Sequence, residues 1–480
     1  MMSNKASTVS IDDEAQAIVS DLVNRARTAQ LQFETYNQEQ VDEVVVATAW
    51  ALLEPVRNRE LSELAVSTTG LGNVKDKITK NHRKTMGLLR DLKGARTVGV
   101  VQELPELGLV EIARPVGVVG AVVPSTNPAA TPMNKTLNAL KGRNAIILAP
   151  SPKGQEVCTR LIKYIHAELD RIGAPRDLVQ QLPAPVNKAT THQLMHQADL
   201  VVVTGSQNNV RSAYSSGGPA IGVGAGNVPV IIDSSADLAQ AAAKIRLSKT
   251  FDNATSCSSE NNLVIVDDVY DAAIKALAVE GGIVLTPEER AQLQRTLWVD
   301  GNLNRDVIAK SAPEIAEACG FSRPELRSAT MLLVEETGVG KDHPFSGEKL
   351  SPVLTVYRAP DFDGAYDRTR EILEHQGKGH SCGIHTEDEA HINRLGLHMP
   401  VCRVIVNQAH AVATGGSFDN GLPFSLSMGC GTWGQNSISE NLNYRHYLNT
   451  TRVVKTITPN EPTLDEIFGD YWQKFGLEGA

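Results

Sequence analysis

Several absences bound what this 480-residue chain can be. Its six cysteines, Cys158, Cys257, Cys319, Cys382, Cys402 and Cys430, form no C-x-x-C pair and no zinc spacing. That argues against both a disulfide framework and a metal site. No run of about 18 apolar residues occurs, so no segment reads as membrane-spanning. The opening MMSNKASTVSIDDEAQ lacks the apolar core of an export signal, so the chain is expected in the cytoplasm with reduced thiols. An excess of positive charge is missing too. The net charge of −9 argues against nucleic acid or an anionic membrane as a bulk partner, yet leaves room for a local basic pocket. One hydrophobic core is too small a plan for this length, and two or three domains are expected.

The strongest chemical signal is a cysteine among small polar residues. KTFDNATSCSSENN (249–262) puts Cys257 on a turn just before the apolar run 263–266. Structural thiols usually sit among apolar neighbours, whereas a thiol at the mouth of a cleft can be a nucleophile. On this stretch alone both readings stand.

The first ~95 residues carry helical spacing, for example Val41, Val44, Val45, Thr48 and Leu52, and predict a helical layer on a later sheet, with Ser10 as the first cap. Residues 97–115 alternate around a central proline and predict a hairpin that projects toward another subunit. Between 116 and 232, apolar runs (116–123, 145–149, 177–182, 200–204, 228–232) alternate with helical stretches. This pattern predicts a parallel sheet covered on both faces, with ligands at the carboxyl ends of its strands. Those ends fall at 124–128, 150–154 and 204–206. No G-x-G-x-x-G occurs; GVGAG at 222–226 reads as a tight turn. Ser206 opens a helix, where it can hold a pyrophosphate or serve as a plain cap. A second α/β unit follows, with strands at 263–266, 330–334, 353–358 and 403–406. A flexible turn presents His380, and Cys382 and Cys430 fall in turns near the cleft. An edge strand at 445–458 and a short helix within 461–480 end the chain.

The runs PVGVVGAVVPSTNP (115–128), LKGRNAIILAPSPKG (140–154), TGSQNNVRSAYSSGGPAIGVGAGNVPVIID (204–233), KTFDNATSCSSENN, GEKLSPVLTVYRA (347–359), GKGHSCGIH (377–385) and SLSMGCGTWGQNSISEN (425–441) resemble the CoA-acylating branch of the aldehyde dehydrogenase superfamily, in order along the chain. The resemblance implies an α/β fold with two doubly wound parallel-sheet domains and a small β oligomerisation element. The expected units are 1–232 for the dinucleotide, 233–440 for catalysis and 441–480 for oligomerisation. It implies Cys257 as nucleophile, Asn127 as oxyanion amide and His380 as a catalytic group of the Gly-x-Gly-His motif. Ser125, Thr126, Ser151, Lys153, Gly205, Ser206, Gly224 and Glu348 become cofactor-binding candidates, with Glu348 on the nicotinamide ribose.

Two departures from the hydrolytic relatives matter. Those relatives carry a water-activating Glu in E-L-G-G-K, where Val223 stands here. They also carry K-P-S-E, whose glutamate excludes a 2′-phosphate, where this chain has Ala149-Pro150-Ser151-Pro152, followed by Lys153. The first departure implies coenzyme A rather than water as acyl acceptor; the second leans to NADP, with NAD open. Within the branch the runs are most similar to members acting on sulfoacetaldehyde, with acetaldehyde, propionaldehyde and succinate semialdehyde as alternatives. A sulfonate needs donors, and 407–423, with His410, Thr414, Ser417 and Asn420, is polar enough to supply them or to be a solvent loop. A homodimer or homotetramer is expected. A catalytically silent member of the fold is the reading from another class; the joint presence of Cys257, Asn127 and Glu348 argues against it.

Overall fold

The computed structural model describes residues 11–224 and 226–477. Ser10, expected to cap the first helix, Ala225 in the glycine-rich turn and the last three residues lie outside them.

Four helices, Ile11–Glu34, Gln38–Leu53, Pro55–Thr69 and Val74–Leu92, make the expected helical layer. Their apolar stripes are the predicted ones: Val41, Val44, Val45 and Leu52 are buried. Asn37 starts the second helix, accepting from the Gln40 N–H while the Gln40 side chain accepts from the Asn37 N–H. These helices share one core with a five-stranded parallel sheet. Its order is Val179–Gln181, Ala145–Pro150, Val118–Val123, Leu200–Val203, Ala220–Gly222. Val118–Val123 and Ala145–Pro150 are buried at every position, as strands covered on both faces must be.

A second parallel sheet has seven strands, in the order Gly282–Val284, Met331–Glu335, Val353–Ala359, Glu260–Val266, Val228–Ile232, Cys382–His385, Val404–Val406. Two corrections follow. Val228–Ile232, expected to close the first sheet, instead lies near the middle of the second, bonded to Glu260–Val266 and Cys382–His385. The reason is chain length: too few residues separate 222 from 228 for a parallel crossover within one sheet. Cys382, expected in a turn, opens a strand and is fully buried.

The third sheet is antiparallel. The hairpin strands Gly99–Leu104 and Leu109–Pro115 are joined by Leu448–Val454, which pairs with Leu109–Pro115 from Leu448↔Pro115 to Val454↔Leu109. The hairpin and the late strand, each expected to reach toward another subunit, thus pair with one another and leave two outer edges. Leu442 and Tyr447, just before that strand, belong to the core of the first domain. Helix Leu464–Phe475 follows, with no buried residue. Among the described residues no helix is long and apolar enough to cross a membrane.

Candidate active site

The two large sheets meet end to end at one cavity. The carboxyl ends of Val118–Val123 and Leu200–Val203 deliver Thr126, Asn127, Gly205 and Ser206 to it. From the other side, three adjacent strands of the second sheet present the turns before their amino ends. Val223 and Gly224 precede Val228–Ile232, Cys257 precedes Glu260–Val266, and His380 precedes Cys382–His385. The cavity measures about 410 Å³ and also takes in Glu348, a volume in the range of a small-molecule site.

Cys257 is partly exposed. Its turn is held tightly: a Cβ on Gly226 would fall 1.8 Å from the Cys257 carbonyl oxygen, so only glycine lets the linker between the sheets pass behind the thiol. His380 Nε2 lies 3.6 Å from Cys257 Sγ, and its Nδ1 lies 2.8 Å from Ser381 Oγ. The Gly-x-Gly-His turn needs its glycines, because Gly377 and Gly379 both have positive φ, 94° and 87°. Burial, with Arg403 and His410 nearby, pushes the His380 pKa down to about 3. A neutral ring whose proton sits on Nδ1 leaves Nε2 as an acceptor toward the thiol. Burial, then the Glu348 carboxyl and Cys430, push the Cys257 thiol up to about 12. The resting pair is therefore a thiol beside a neutral imidazole.

Asn127 is oriented from behind. Lys80 Nζ donates to Asn127 Oδ1 at 2.8 Å. With its oxygen held by a cation, the amide presents Nδ2, whose one contact is a long 3.4 Å to Thr126 Oγ1. Lys80 is in turn fixed by Asp252 Oδ2 at 2.5 Å and Thr255 Oγ1 at 2.9 Å. Lys77 shares that carboxylate at 3.1 Å and donates to the Thr126 carbonyl. Asp252, Asn253 and Ala254 are left-handed, with φ of 50°, 53° and 59°. This backbone is costly for residues with a side chain, and the two lysines hold it. One buried ion cluster thus locks the Asn127 loop and the cysteine turn to helix Val74–Leu92.

Reasoning from sequence missed this cluster, and it missed Arg403. Arg403 donates to the carbonyls of His380 (3.0 Å) and Gly429 (2.8 Å) and to Asn441 Oδ1 (2.9 Å), so it positions the histidine turn through its backbone. Glu348 is half-buried; burial raises its carboxyl to about 8, against the lowering pull of Lys249 and Lys349. It is the one carboxyl lining the cavity among the described residues. Val223 lines it as an apolar wall.

A neighbouring crevice of about 440 Å³ shares Gly205 and Ser206 and adds Ser125 and Ser151. It lies along the carboxyl ends of the first sheet, where a dinucleotide fits. Gly205, at φ 152°, has open space where a Cβ would stand. Ser206 caps helix Gln207–Tyr214 through the Asn209 N–H at 3.3 Å, and the N–H groups of that helix start face the crevice. The residues present fit NAD(P). One candidate is corrected. Lys153 is exposed in the short turn after Pro150 and does not line the crevice, where Lys188 and His192 stand instead; Thr126, like Gly224 and Glu348, lines the cysteine cavity.

The polar stretch 407–423 does not offer the expected free donors. Thr414 Oγ1 lies 2.9 Å from His410 Nδ1, and that nitrogen also lies 2.8 Å from the Ser258 carbonyl. Asn420 is held by Gln408 and the Ala413 carbonyl, and Ser417 by Arg83 and Asp419.

The aldehyde dehydrogenase family profile matches residues 3–281, and the chain belongs to this family. A sulfoacetaldehyde dehydrogenase (acylating) of Cupriavidus necator is 59% identical over 96% of this chain and 94% of that protein. A second acylating sulfoacetaldehyde dehydrogenase, of Bilophila wadsworthia, is 44% identical over 95% of this chain and 99% of its own length. The crystal structure of an acetylating aldehyde dehydrogenase from Geobacillus thermoglucosidasius matches with a TM-score of 0.90 at 36% identity, over 95% of this chain and 100% of that one. The α/β fold with two parallel sheets is shared with these structures.

Proposed function

We propose that the protein oxidises sulfoacetaldehyde with coenzyme A and NAD(P)+ to sulfoacetyl-CoA and NAD(P)H. The observation that carries this reading is the meeting of Cys257, His380 and the Asn127 amide in one cavity with apolar Val223 beside them. The names of the two relatives above point to the same aldehyde and the same acceptor.

Cys257 Sγ adds to the carbonyl carbon while His380 Nε2 receives the thiol proton. The new oxyanion would take donors from the Cys257 N–H and from Asn127 Nδ2, the latter oriented before the reaction begins by Lys80 on Oδ1. Bound NAD(P)+ would supply the hydride acceptor for that carbon, and Cys257 would then carry the acyl group as a thioester. His380, having lost its proton to solvent, takes the proton of the CoA thiol, whose sulfur then displaces Cys257. Val223 offers no base for water. The carboxyl of Glu348 meets the nicotinamide ribose. Among the described residues no carboxylate lines the crevice beside Ser125 and Ser151, and Lys188 and His192 do. The Lys188 ammonium, with the His192 ring as a hydrogen-bonding neighbour, favours a 2′-phosphate, so NADP is the preferred cofactor.

NAD(P)H formation from sulfoacetaldehyde, acetaldehyde, propionaldehyde and succinate semialdehyde, with and without CoA, tests the reading. Turnover that requires CoA and is fastest with sulfoacetaldehyde is expected. Equal turnover without CoA would overturn it and make Glu348 the water-activating group.

Asn127→Ala removes one oxyanion donor and is expected to lower kcat about 100- to 1000-fold with a smaller change in KM. Steady-state kinetics check this; a change in KM alone would show that Asn127 binds the ground state instead.

A further inference from the structure

Helix Val74–Leu92 carries four cations, Lys77, Lys80, Arg83 and Lys84, at spacings that place them on one face. Their counter-ions do not match them. Asp252 serves Lys77 and Lys80. Among the described residues no carboxylate pairs with Lys84, and Arg83 feels only that of Asp419, which reaches it through Ser417. Lys84 is buried, and its Nζ donates to the carbonyls of Gly415 at 2.7 Å and Gly416 at 3.4 Å, with the Phe424 ring 5.5 Å away. Arg83 donates to Ser417 Oγ at 2.6 Å and to the Val412 carbonyl at 3.4 Å. A buried ammonium held only by neutral groups is costly. Burial pushes Lys84 down to about 7, and the charges acting on it, Arg83 and Lys80, share its sign.

Both cations line a small cavity of about 30 Å³ that has no acidic wall among the described residues. It adjoins the cysteine cavity through Asn127, Ser256 and Leu426. We propose that Arg83 and Lys84 form an anion pocket for the sulfonate of the aldehyde, which supplies the counter-ion that Lys84 lacks. The inference rests on the reading of the neighbouring cavity as the aldehyde site. In sulfoacetaldehyde the sulfonate is one carbon from the carbonyl, so its partners must stand next to the oxyanion amide. A cavity that shares Asn127 meets that demand, and a remote basic patch would not. A cavity of about 30 Å³ is smaller than a sulfonate, so the tail would sit across its opening into the cysteine cavity, beside Asn127, with Arg83 and Lys84 behind it.

The test is the ratio of kcat/KM for sulfoacetaldehyde to that for propionaldehyde, with CoA and NADP+, in wild type, Arg83→Gln, Lys84→Met and Arg83→Lys. Losing one charged hydrogen-bond partner is expected to lower the ratio about 100-fold in Arg83→Gln, mainly through KM, with partial recovery in Arg83→Lys. A ratio that stays within about threefold of wild type, or an equal loss on both aldehydes, overturns the pocket. Ethanesulfonate should compete with the aldehyde in wild type. Absence of competition overturns the proposal even where the variants do not fold. Failure of the acylating reading would show separately, as wild-type turnover indifferent to CoA. A wild type that prefers succinate semialdehyde would overturn the sulfonate as the ligand and leave a carboxylate in its place.

Discussion

Cys257→Ala is expected to lose at least about 10⁴-fold in CoA-dependent NAD(P)H formation, because a covalent cycle without its nucleophile has no second route. The other thiols do not replace it. Cys430 is buried, its thiol is pushed up to about 11 by burial, and it donates to the Met428 carbonyl. Cys382 is sealed inside a strand. Among the described residues the Cys257 side chain makes one hydrogen bond, to His380, and alanine keeps its Cβ, so the substitution leaves the backbone of the turn in place. The variant should melt close to wild type, which separates loss of chemistry from loss of fold. Mass spectrometry adds a direct check: an acyl adduct should form on wild type with aldehyde and NAD(P)+ in the absence of CoA, and should be missing from the alanine variant. Residual turnover above about one per cent would place the nucleophile elsewhere.

The second large effect belongs to a residue that touches no reacting atom. Asp252→Ala strands Lys77 and Lys80 as buried cations, and breaking such a pair from one side costs about 3–5 kcal/mol. It also frees Lys80, the group that holds Asn127 Oδ1, so kcat should fall alongside stability. Burial alone would raise the Asp252 carboxyl; the ammonium groups of Lys80 and Lys77 more than reverse this and hold it below the usual range. A carboxyl lowered in the folded state stabilises above its unfolded pKa, and that stability is lost as pH falls through the folded value. Denaturant titrations across the acid range should therefore show a steep loss in wild type and a flatter one in Asp252→Ala. Equal midpoints for the two proteins at neutral pH would refute the role of the cluster.

Which of these features could be read from residues alone follows a physical line. Val118–Val123 and Ala145–Pro150 announced themselves because a strand covered on both faces is a continuous apolar run. Cys382–His385 did not: in CGIH only Ile384 favours a strand, and its place is fixed by neighbours on both sides. The sheet to which Val228–Ile232 belongs was legible in principle, since the linker before it cannot hold a parallel crossover, but an apolar run by itself does not say which sheet it joins. At the site, Cys257, Asn127 and His380 were found through motifs and do converge. Lys77, Lys80, Arg83 and Lys84 were passed over because three- and four-residue spacing of cations describes a solvated helix face equally well. Only packing against Asp252, Asn127 and the 412–417 backbone shows that face to be inside. Arg403 left no local signal, because all its partners come from distant turns.

The late strand Leu448–Val454 carries a consequence for how the molecule is made. Its partner lies some 334 positions earlier, as Asn449 bonded to Pro115 shows. At a synthesis rate of about 5–20 residues per second, the hairpin waits roughly 15–70 seconds for the strand that covers one of its edges. The five-stranded sheet emerges and can close within that interval. The projecting hairpin cannot be finished until nearly all of the chain exists. Its bare edge is thus a timed exposure during birth, and charged Glu111 and Arg114 along it are the kind of residues that keep such an edge from pairing with the wrong chain.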